Sequence, residues 1–389
     1  MNNEVILKKG REIPLYRGHP WIFSGAIKSL PECAPGTIFP IYTQAREFLG
    51  QGYFHPDNSL SGRLLTSEKG DIETILSKTL SSAIALREAL FQGKQTSAYR
   101  LINAEGDGFP GLIVDRYGEY LVVQIHTQGM ERLKPFLVAQ LITQLSPKGI
   151  YEKSLSPSRT EEGLPLSEGL LHGEVPPTVE VLEEGKKFAV SIPEGQKTGF
   201  FLDQREMRKK VESLAMGRKV LNAFSYTGGF GIYALKGGAE SVTSVDRCKK
   251  ATCLARENTL LNDLSEDKHT LIDQDLFAYL DSSDFPYDFV ILDPPAFVKK
   301  RSSLDRALKA YQNLNENILK RLPPSSFLLT CSCSYHVQTD LFLRMVQTAA
   351  QKAGRTVQIL STHVQASDHP ILLSHPEGAY LKSLLLFVQ

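Results

Sequence analysis

The sequence predicts an α/β protein of three domains, in which the last and largest is built on a doubly wound parallel sheet. Three observations predict this class. The first 75 residues contain short strand-like runs broken by glycine and proline. From about residue 191 onward, short apolar strands alternate with helical patterns. The 389 residues suffice for two or three domains at ~100–200 residues each. We therefore expect a β-barrel-like module over residues 1–75, a small central α/β domain over 76–190 and the parallel-sheet domain over 191–389.

The composition limits the possible functions. Forty-four basic and 43 acidic side chains give a net charge of +1, which excludes a nucleic-acid binder that depends on overall charge but allows local basic patches. Five cysteines without a Cys-x-x-Cys pair predict neither a disulfide framework nor a metal site. No apolar run approaches the ~20 residues of a membrane span, and the start lacks a secretion signal. We expect a cytoplasmic protein with no membrane partner.

The first two predicted domains mix strands and helices. The strand-like runs of the first are Val5–Leu7, Thr37–Tyr42 and Leu49–Phe54. A helix is predicted over Ser77–Phe91, just after the boundary between the two domains. The central domain has strand patterns at Gly111–Asp115 and Tyr120–Ile125, and a helix at Glu131–Leu145. The segment Ser154–Pro177, rich in Ser, Pro, Gly and Glu, is predicted to be a loop.

In the third domain, successive strands end in polar or glycine-rich residues. Predicted strands cover Lys219–Ala223, Ser241–Val245, Thr270–Ile272, Phe289–Leu292 and Ser326–Thr330, with two more at Thr356–Leu360 and Leu381–Val388. A helix is predicted over Lys249–Leu261. Ligands of such sheets bind at the carboxyl ends of the strands. We therefore expect the residues that follow these strands to form the site.

Three of these strand ends suggest a nucleoside site. The turn with Gly228, Gly229 and Gly231 allows close approach of a ligand to the backbone, although such a turn also serves plain packing. Asp246 ends the next strand, where a carboxylate accepts hydrogen bonds from ribose hydroxyls. Asp275 precedes an apolar pair that suits an adenine. Either aspartate could instead cap the helix that follows it.

The fourth strand end, Asp293-Pro294-Pro295-Ala296-Phe297, is the most distinctive. Two prolines remove backbone donors and stiffen the exit of the strand, so that Asp293 would point into the site. Phe297 could stack on a base, and a simple turn is the structural alternative. These residues together suggest an adenosine site beside a nucleobase site. A dinucleotide dehydrogenase fits less well, because the first turn lacks Gly-x-Gly-x-x-Gly.

Two cysteines, Cys331 and Cys333, follow the strand next to that site. A thiolate can attack carbon 6 of a pyrimidine, which makes carbon 5 nucleophilic toward the methyl group of a sulfonium donor. Both residues could instead be small buried residues at the end of a strand. In an extended segment the two side chains point the same way, so which thiol would attack is left open. The remaining three cysteines are interpreted as structural.

The C-terminal half resembles a class I S-adenosylmethionine-dependent methyltransferase with a Rossmann-like fold. The whole chain resembles the bacterial 23S ribosomal RNA large-subunit methyltransferase I family, which makes 5-methylcytosine. The matching stretches are Arg17–Phe23, Ser61–Thr66, Asp107–Tyr117, Arg159–Leu164, Gln196–Arg205, Phe224–Phe230, Asp293–Pro295, Ser332–Ser334, Asp368–Pro370 and Pro376–Gly378. The resemblance implies an N-terminal PUA RNA-binding module, a central α/β domain and a methyltransferase domain.

The resemblance also implies roles for individual residues. It places Cys333 as the nucleophile and Asp293 as the residue that orients the target cytosine. Asp246 would hold the cofactor's ribose and Asp275 its adenine side, while Arg205 would contact substrate. The other residues implied at the S-adenosylmethionine site are Phe224, Tyr226, Thr227, Gly228, Asp203, Gln204 and Pro294. The chain departs from the family at Asn222, where aspartate is usual, and at Cys331, where phenylalanine is common.

Ribosomal RNA would have to bind through local basic patches. Lys299, Lys300, Arg301, Arg306 and Lys309 follow the Asp-Pro-Pro segment and suggest a phosphate track. A second cluster, Arg205 with Arg208, Lys209 and Lys210, has a solvated helix face as its alternative.

The sequence therefore predicts an S-adenosylmethionine-dependent enzyme that methylates carbon 5 of a cytosine in 23S ribosomal RNA, and a homodimer is compatible with it. An enzyme that methylates exocyclic amines is the first alternative, because Asp-Pro-Pro-aromatic also suits an amino group and needs no cysteine. A non-catalytic RNA-binding or ribosome assembly factor is the second.

Overall fold

The computed structural model describes residues 3–282, 284–297 and 304–389. The described residues form two compact units. The first takes in Met1–Val181, Ser191–Gly199 and Ser367–Gly378, and the second Leu182–Val190, Phe200–Ala366 and Ala379–Gln389. None of the helices in these ranges has the length and apolar character that a membrane span requires.

The first unit contains two sheets. Its strands are β1 (Val5–Leu7), β2 (Trp21–Phe23), β3 (Ile27–Ser29), β4 (Thr37–Tyr42), β5 (Phe48–Phe54), β6 (Leu60–Thr66), β7 (Ala98–Asn103), β8 (Leu112–Tyr117), β9 (Tyr120–Ile125), β10 (Gly149–Ser154) and β11 (Ser167–Gly173). Its helices are α1 (Ile13–Tyr16), α2 (Ile72–Phe91), α3 (Gln128–Leu145) and α4 (Ser158–Glu161). The hairpin of β12 (Thr178–Glu183) and β13 (Lys186–Ser191) follows where the chain leaves this unit.

The first sheet has the order β2-β6-β5-β4-β1-β3, mostly antiparallel, with β1 and β4 parallel. The second has the order β11-β10-β9-β8-β7 and packs against α2 and α3 through a core that includes Leu80, Val123 and Leu137. Tyr53 of β5 belongs to this core, and its hydroxyl donates to the Pro110 carbonyl at 2.7 Å. The two sheets of this unit therefore share packing.

Two local predictions in this unit need correction. The helix predicted from Ser77 begins at Ile72, because Asp71 caps it by accepting the Thr74 N–H at 2.9 Å. The predicted loop Ser154–Pro177 contains α4 and the edge strand β11, which pairs antiparallel with β10. An edge strand needs few apolar residues when backbone pairing holds it, so its composition gives little signal.

The second unit is a seven-stranded sheet in the order β16-β15-β14-β17-β18-β20-β19. Its strands are β14 (Lys219–Ala223), β15 (Ser241–Asp246), β16 (His269–Asp273), β17 (Phe289–Leu292), β18 (Ser326–Ser332), β19 (Val357–His363) and β20 (Lys382–Val388). Its helices are α5 (Arg205–Leu214), α6 (Gly229–Lys236), α7 (Lys249–Leu261), α8 (Leu276–Ser282), α9 (Leu304–Arg321) and α10 (Thr339–Ala353).

Strands β14 to β18 are parallel, and β20 inserts antiparallel between β18 and β19. Helices cover both faces. Val290 and Leu292 of β17 face a core that contains Tyr311 of α9 and Phe342 of α10, whereas Phe289 and Ile291 face α5 and α6. The doubly wound sheet predicted from the sequence is confirmed. Its strand order reverses between β14 and β17, where a site is expected.

Candidate active site at the carboxyl ends of the central strands

The turn from β14 into α6 is held in a strained conformation. Phe224 and Tyr226 have φ of +58° and +47°, a left-handed region that side chains seldom adopt, and Gly228 follows at +79°. The neighbouring strand fixes this turn, because the Ser225 N–H donates to the Val245 carbonyl at 3.1 Å. Strain that the surroundings hold in place is typical of ligand-binding turns.

Close packing fixes the start of α6 beneath this turn. A Cβ on Gly231 would lie 2.9 Å from His269 Nε2 and 3.0 Å from Ser244 Oγ. These two atoms are 2.8 Å apart, and the Asn222 amide donates to the same hydroxyl at 3.1 Å. Burial lowers the pKa of His269 to about 4, so the imidazole is neutral at pH 7. Asn222 thus has a structural role in this network.

Asp246 links the turn to the next helix. Its carboxylate accepts the Tyr226 N–H and the Cys248 N–H, each at 2.9 Å. The cap residue of α7 is Cys248, so Asp246 braces the turn from the end of β15. Asp275 is exposed, and its Oδ1 accepts the Phe277 N–H at 3.0 Å, which is the helix-capping role that the sequence left open.

Asp293 is half-buried at the end of β17, and the following Pro294 is buried. Burial and the nearby carboxylate of Asp203 raise the pKa of Asp293 to about 7, while the Gln204 amide lowers it by hydrogen bonding. The predicted grouping of Asp203, Gln204 and Asp293 is therefore present. The Tyr380 hydroxyl donates to Asp203 Oδ2 at 2.7 Å and orients that carboxylate.

Several buried polar atoms around these strand ends have no hydrogen-bond partner among the described residues. They are Ser225 Oγ, Thr227 Oγ1, Asp203 Oδ1 and Gln204 Oε1. Leaving such atoms without partners costs free energy, so their grouping indicates a polar ligand. Hydroxyl, amide and carboxylate groups fit the amino, carboxylate and ribose groups of S-adenosylmethionine, and the residues present fit that cofactor.

The two cysteines at the end of β18 have different surroundings. Cys331 is fully buried in the core that includes Ile291 and Leu329, and this burial raises the pKa of its thiol well above the ordinary range. Cys333 lies past the end of the strand and is half-buried. Of the two thiols, Cys333 is therefore the more accessible to a substrate.

Aromatic residues lie near the end of β18. The Phe297 ring packs on Tyr311, with 4.5 Å between ring centroids, and the Tyr311 hydroxyl lies 3.0 Å from Ser334 Oγ. Of the predicted phosphate track, Lys299, Lys300 and Arg301 lie outside the described residues. Arg306 and Lys309 are exposed on α9.

Two members of the second basic cluster, Arg205 and Arg208, have structural contacts. Arg205 is buried with Nε 3.2 Å from Glu183 Oε2, and Arg208 forms two 2.7 Å bonds to the same carboxylate. These contacts hold α5 and leave the two guanidinium groups little access to an RNA phosphate. The proposed substrate contact of Arg205 gains no support from this placement.

Three residues at the site were missed by the sequence analysis: Tyr311, Tyr380 and Lys382. Lys382 is the first residue of the mainly apolar strand β20, and a lysine there is a signal that could have been noticed. The position of Lys382 beside β18 could not be predicted, because the insertion of the last strand between β18 and β19 has no local sequence signature.

Comparisons with known proteins agree with this architecture. A profile of PUA-like domains matches residues 5–67, and one of S-adenosylmethionine-dependent methyltransferases matches residues 166–370. A methyltransferase complexed with S-adenosylhomocysteine has a similar crystal structure, with a TM-score of 0.86 and 27% identity over 99% of both chains. An S-adenosylmethionine-dependent methyltransferase from Streptococcus mutans has a TM-score of 0.84, at 27% identity and 99% coverage of both chains.

Full-length relatives are closer in sequence. The ribosomal RNA large subunit methyltransferase I of Shewanella frigidimarina is 40% identical over 392 positions, covering 98% of each chain. The protein of that name from Tolumonas auensis is 42% identical over 398 positions, covering 99% of each. The predicted fold class and the predicted cofactor are thereby confirmed. With its PUA-like N-terminal domain and Rossmann-like sheet, the chain belongs to the family of S-adenosylmethionine-dependent methyltransferases that includes these large subunit enzymes.

Proposed function

We propose that this protein transfers a methyl group from S-adenosylmethionine to carbon 5 of a cytosine in 23S ribosomal RNA, in the cytoplasm. The names of its relatives support ribosomal RNA of the large subunit as the substrate. The observation that carries the choice of atom is the half-buried Cys333 beside the strand end that bears Asp293. Leu292 pairs with Thr330, so the two strand ends adjoin.

In this proposal the cofactor lies along the carboxyl ends of β14, β15 and β17. Phe224, Tyr226, Thr227 and Gly228 line its methionine end, and Asp246 accepts from the ribose hydroxyls. Asp275 lies on the adenine side, while Asp203, Gln204, Asp293 and Pro294 close the site toward the base. The unpartnered atoms of Thr227, Asp203 and Gln204 support this assignment.

Cys333 is the nucleophile in the proposed reaction. Its thiolate forms a bond to carbon 6 of the cytosine, which moves electron density to carbon 5. S-adenosylmethionine supplies an electrophilic methyl group to that carbon. A base from the site or the solvent then accepts the carbon 5 proton, and the electron pair of that C–H bond restores the double bond between carbons 5 and 6. The bond between sulfur and carbon 6 breaks, and its electron pair leaves with the Cys333 thiolate. Asp293, held near its midpoint of protonation at pH 7, donates a hydrogen bond to the ring and orients it.

The RNA contacts in this proposal come from two separate parts of the chain. Phe297 borders the base, and Lys299, Lys300 and Arg301 contact phosphates near the Asp-Pro-Pro segment. Residues 1–75 bind RNA as a PUA domain, followed by the central domain at 76–190 and the methyltransferase domain at 191–389. The match of the PUA-like profile to residues 5–67 supports the first of these boundaries.

A covalent trap tests the proposed reaction. Large-subunit RNA that contains 5-fluorocytidine keeps fluorine where the carbon 5 proton must leave, so the adduct should accumulate with S-adenosylmethionine. We expect a band on denaturing gels with wild-type protein and with Cys253→Ala, whose thiol is exposed. Cys333→Ala should give none, and bisulfite sequencing of unmodified RNA should show one methylated cytosine only with enzyme that has Cys333.

The other outcomes point to the alternatives. An adduct that survives in Cys333→Ala would contradict the assigned nucleophile. Methylated RNA without any adduct would favour transfer to an exocyclic amine. Failure to bind S-adenosylmethionine at millimolar concentration in calorimetry would favour a non-catalytic RNA-binding factor.

A further inference from the structure

We propose that Lys382 is the cationic partner that holds Cys333 as a thiolate. Lys382 is then a positioning residue for the cytosine methylation proposed above, and this inference rests on that proposal. Lys382 is the first residue of β20, and its backbone partner in β18 is Ser332. The next residue of that chain is Cys333. The antiparallel insertion of β20 thus brings a lysine to the strand end that carries the proposed nucleophile.

The hydrogen bonds of Lys382 fix its amino group at this end. Nζ donates to the Ser334 carbonyl and to the Tyr380 carbonyl, each at 2.7 Å, and the residue is only 5% exposed. Within the part of the chain that the structure describes, no carboxylate pairs with it. A buried ammonium held only by neutral carbonyls is costly, so a negative partner is expected nearby.

The Cys333 thiolate is the negative partner that we assign to Lys382. It lies within electrostatic range of Lys382, and a thiolate there counteracts the effect of burial on the lysine. Tyr311 of α9 and Cys331 of β18 also lie within electrostatic range of Cys333. Burial raises the pKa of both, so both are neutral at pH 7 and neither can stabilise a thiolate by charge.

The proton balance of the pair is simple. Burial lowers the pKa of Lys382 to about 8, close to the ~8.5 of a free thiol. A neutral Lys382 has two N–H groups for its two carbonyl partners and one lone pair that remains. In this proposal the Cys333 proton passes to Nζ, which leaves a thiolate and an ammonium with no change in total charge. The ammonium then stabilises the thiolate again when it departs from carbon 6.

The test measures the thiol directly and needs no RNA. The alkylation rate of Cys333 by iodoacetamide is followed by mass spectrometry from pH 5.5 to 10 in wild type, Lys382→Met and Lys382→Arg. We expect the midpoint of Lys382→Met to rise by one unit or more, so that alkylation at pH 7 slows about tenfold. Lys382→Arg retains the charge and should keep a midpoint near that of wild type.

Controls make either result decisive. Lys320→Met, on an exposed lysine paired with Glu316, should leave the profile unchanged, and exposed Cys253 serves as an internal standard. If Lys382→Met fails to fold, Lys382→Gln, which keeps a donor but no charge, takes its place. A profile of the neutral variant that superimposes on wild type would overturn the inference. This readout is independent of methylation, so a failure of the proposed cytosine activity would be seen separately in the trapping experiment.

Discussion

Asp293 illustrates how one residue's surroundings set its chemistry. A carboxyl on the surface is ionised at pH 7, whereas this one is half-buried and faces the negative charge of Asp203. Both effects favour the protonated form, which can donate a hydrogen bond as well as accept one. A neutral acid suits a position beside an uncharged base, where an ionised group would need a cation.

The pH dependence of stability tests this protonation state. Because the pKa of Asp293 is raised to about 7 in the folded protein, the folded state holds a proton between pH 4 and 7 that the unfolded state releases. The stability that this proton contributes is present at low pH and is lost as the pH rises through 7. Asp293→Asn does not titrate. We therefore expect the unfolding free energy of the variant relative to wild type to increase by ~1–3 kcal/mol from pH 5 to pH 8.

Urea denaturation at four pH values measures this difference. Asp340→Asn is a suitable control, because that carboxylate is 71% exposed and 3.8 Å from Arg344 in a surface pair. The difference in unfolding free energy between Asp340→Asn and wild type should not change with pH. Parallel plots of unfolding free energy against pH for Asp293→Asn and wild type would contradict a raised pKa of Asp293.

Asp293 and Cys333 are predicted as site residues from the sequence because each lies at the end of a predicted strand of a doubly wound sheet, where ligands of such sheets bind. It could not separate Cys331 from Cys333, since alternation along a strand predicts the same side for both. The distinction depends on where β18 ends and on the core around Leu329. Lys382 reaches the site from the start of the last strand and Tyr380 from the residues just before it, and no local pattern predicts these contacts.

At the scale of elements, the start of α6 shows how packing holds a strained turn. The helix lies against β15 and β16 because Gly231 has no side chain, which lets it approach Ser244 and His269 closely. The strained conformations of Phe224 and Tyr226 precede this contact directly. Moving the helix outward would therefore disturb the turn proposed to hold the cofactor.

Gly231→Ala should act on both stability and binding. The added Cβ would lie 2.9 Å from His269 Nε2 and 3.0 Å from Ser244 Oγ, so α6 or its neighbours must shift. We expect a loss of ~1–3 kcal/mol in unfolding free energy. We also expect S-adenosylmethionine affinity in calorimetry to fall at least about tenfold, which corresponds to ~1.4 kcal/mol.

The matched control is Gly25→Ala, since a Cβ there meets nothing within 4 Å. It should leave both quantities within error of wild type. Affinity of Gly231→Ala within twofold of wild type would show that the turn does not depend on the seating of α6.

The predicted elements differ in how well local patterns reveal them. Central strands such as β17 are buried on both faces and read as continuous apolar runs, and the helix predicted over Lys249–Leu261 has the bounds of α7. The edge strand β11 is half exposed and rich in polar residues, so only its pairing with β10 defines it. The order of the last two strands is set by tertiary packing, which periodicity does not encode.

At the scale of the whole molecule, the first unit is discontinuous in sequence, because a late segment of the chain belongs to it and follows most of the residues of the second unit. The segment Ser367–Gly378 belongs to the first unit, although residues 200–366 separate it from the preceding piece, which ends at Gly199. Asp368 holds it there: its carboxylate accepts the Arg100 N–H at 2.8 Å, and its carbonyl accepts from Arg87 at 2.8 Å. Contacts over such distances in sequence leave no periodic pattern to read.

Removing the Asp368 carboxylate should therefore destabilise a part of the first unit that is far from residue 368 in sequence. Asp368 is fully buried, and its Oδ1 also lies 3.0 Å from His369 Nδ1. Asp368→Ala leaves the Arg100 N–H and the His369 ring without this partner, and we expect a loss of ~2–4 kcal/mol in unfolding free energy. Hydrogen exchange should show the largest loss of protection in β7, which carries Arg100, while Asp340→Ala should change neither measurement appreciably. A loss below 1 kcal/mol, or faster exchange confined to residues near 368, would mean that the returning segment adds little to the stability of the unit it completes.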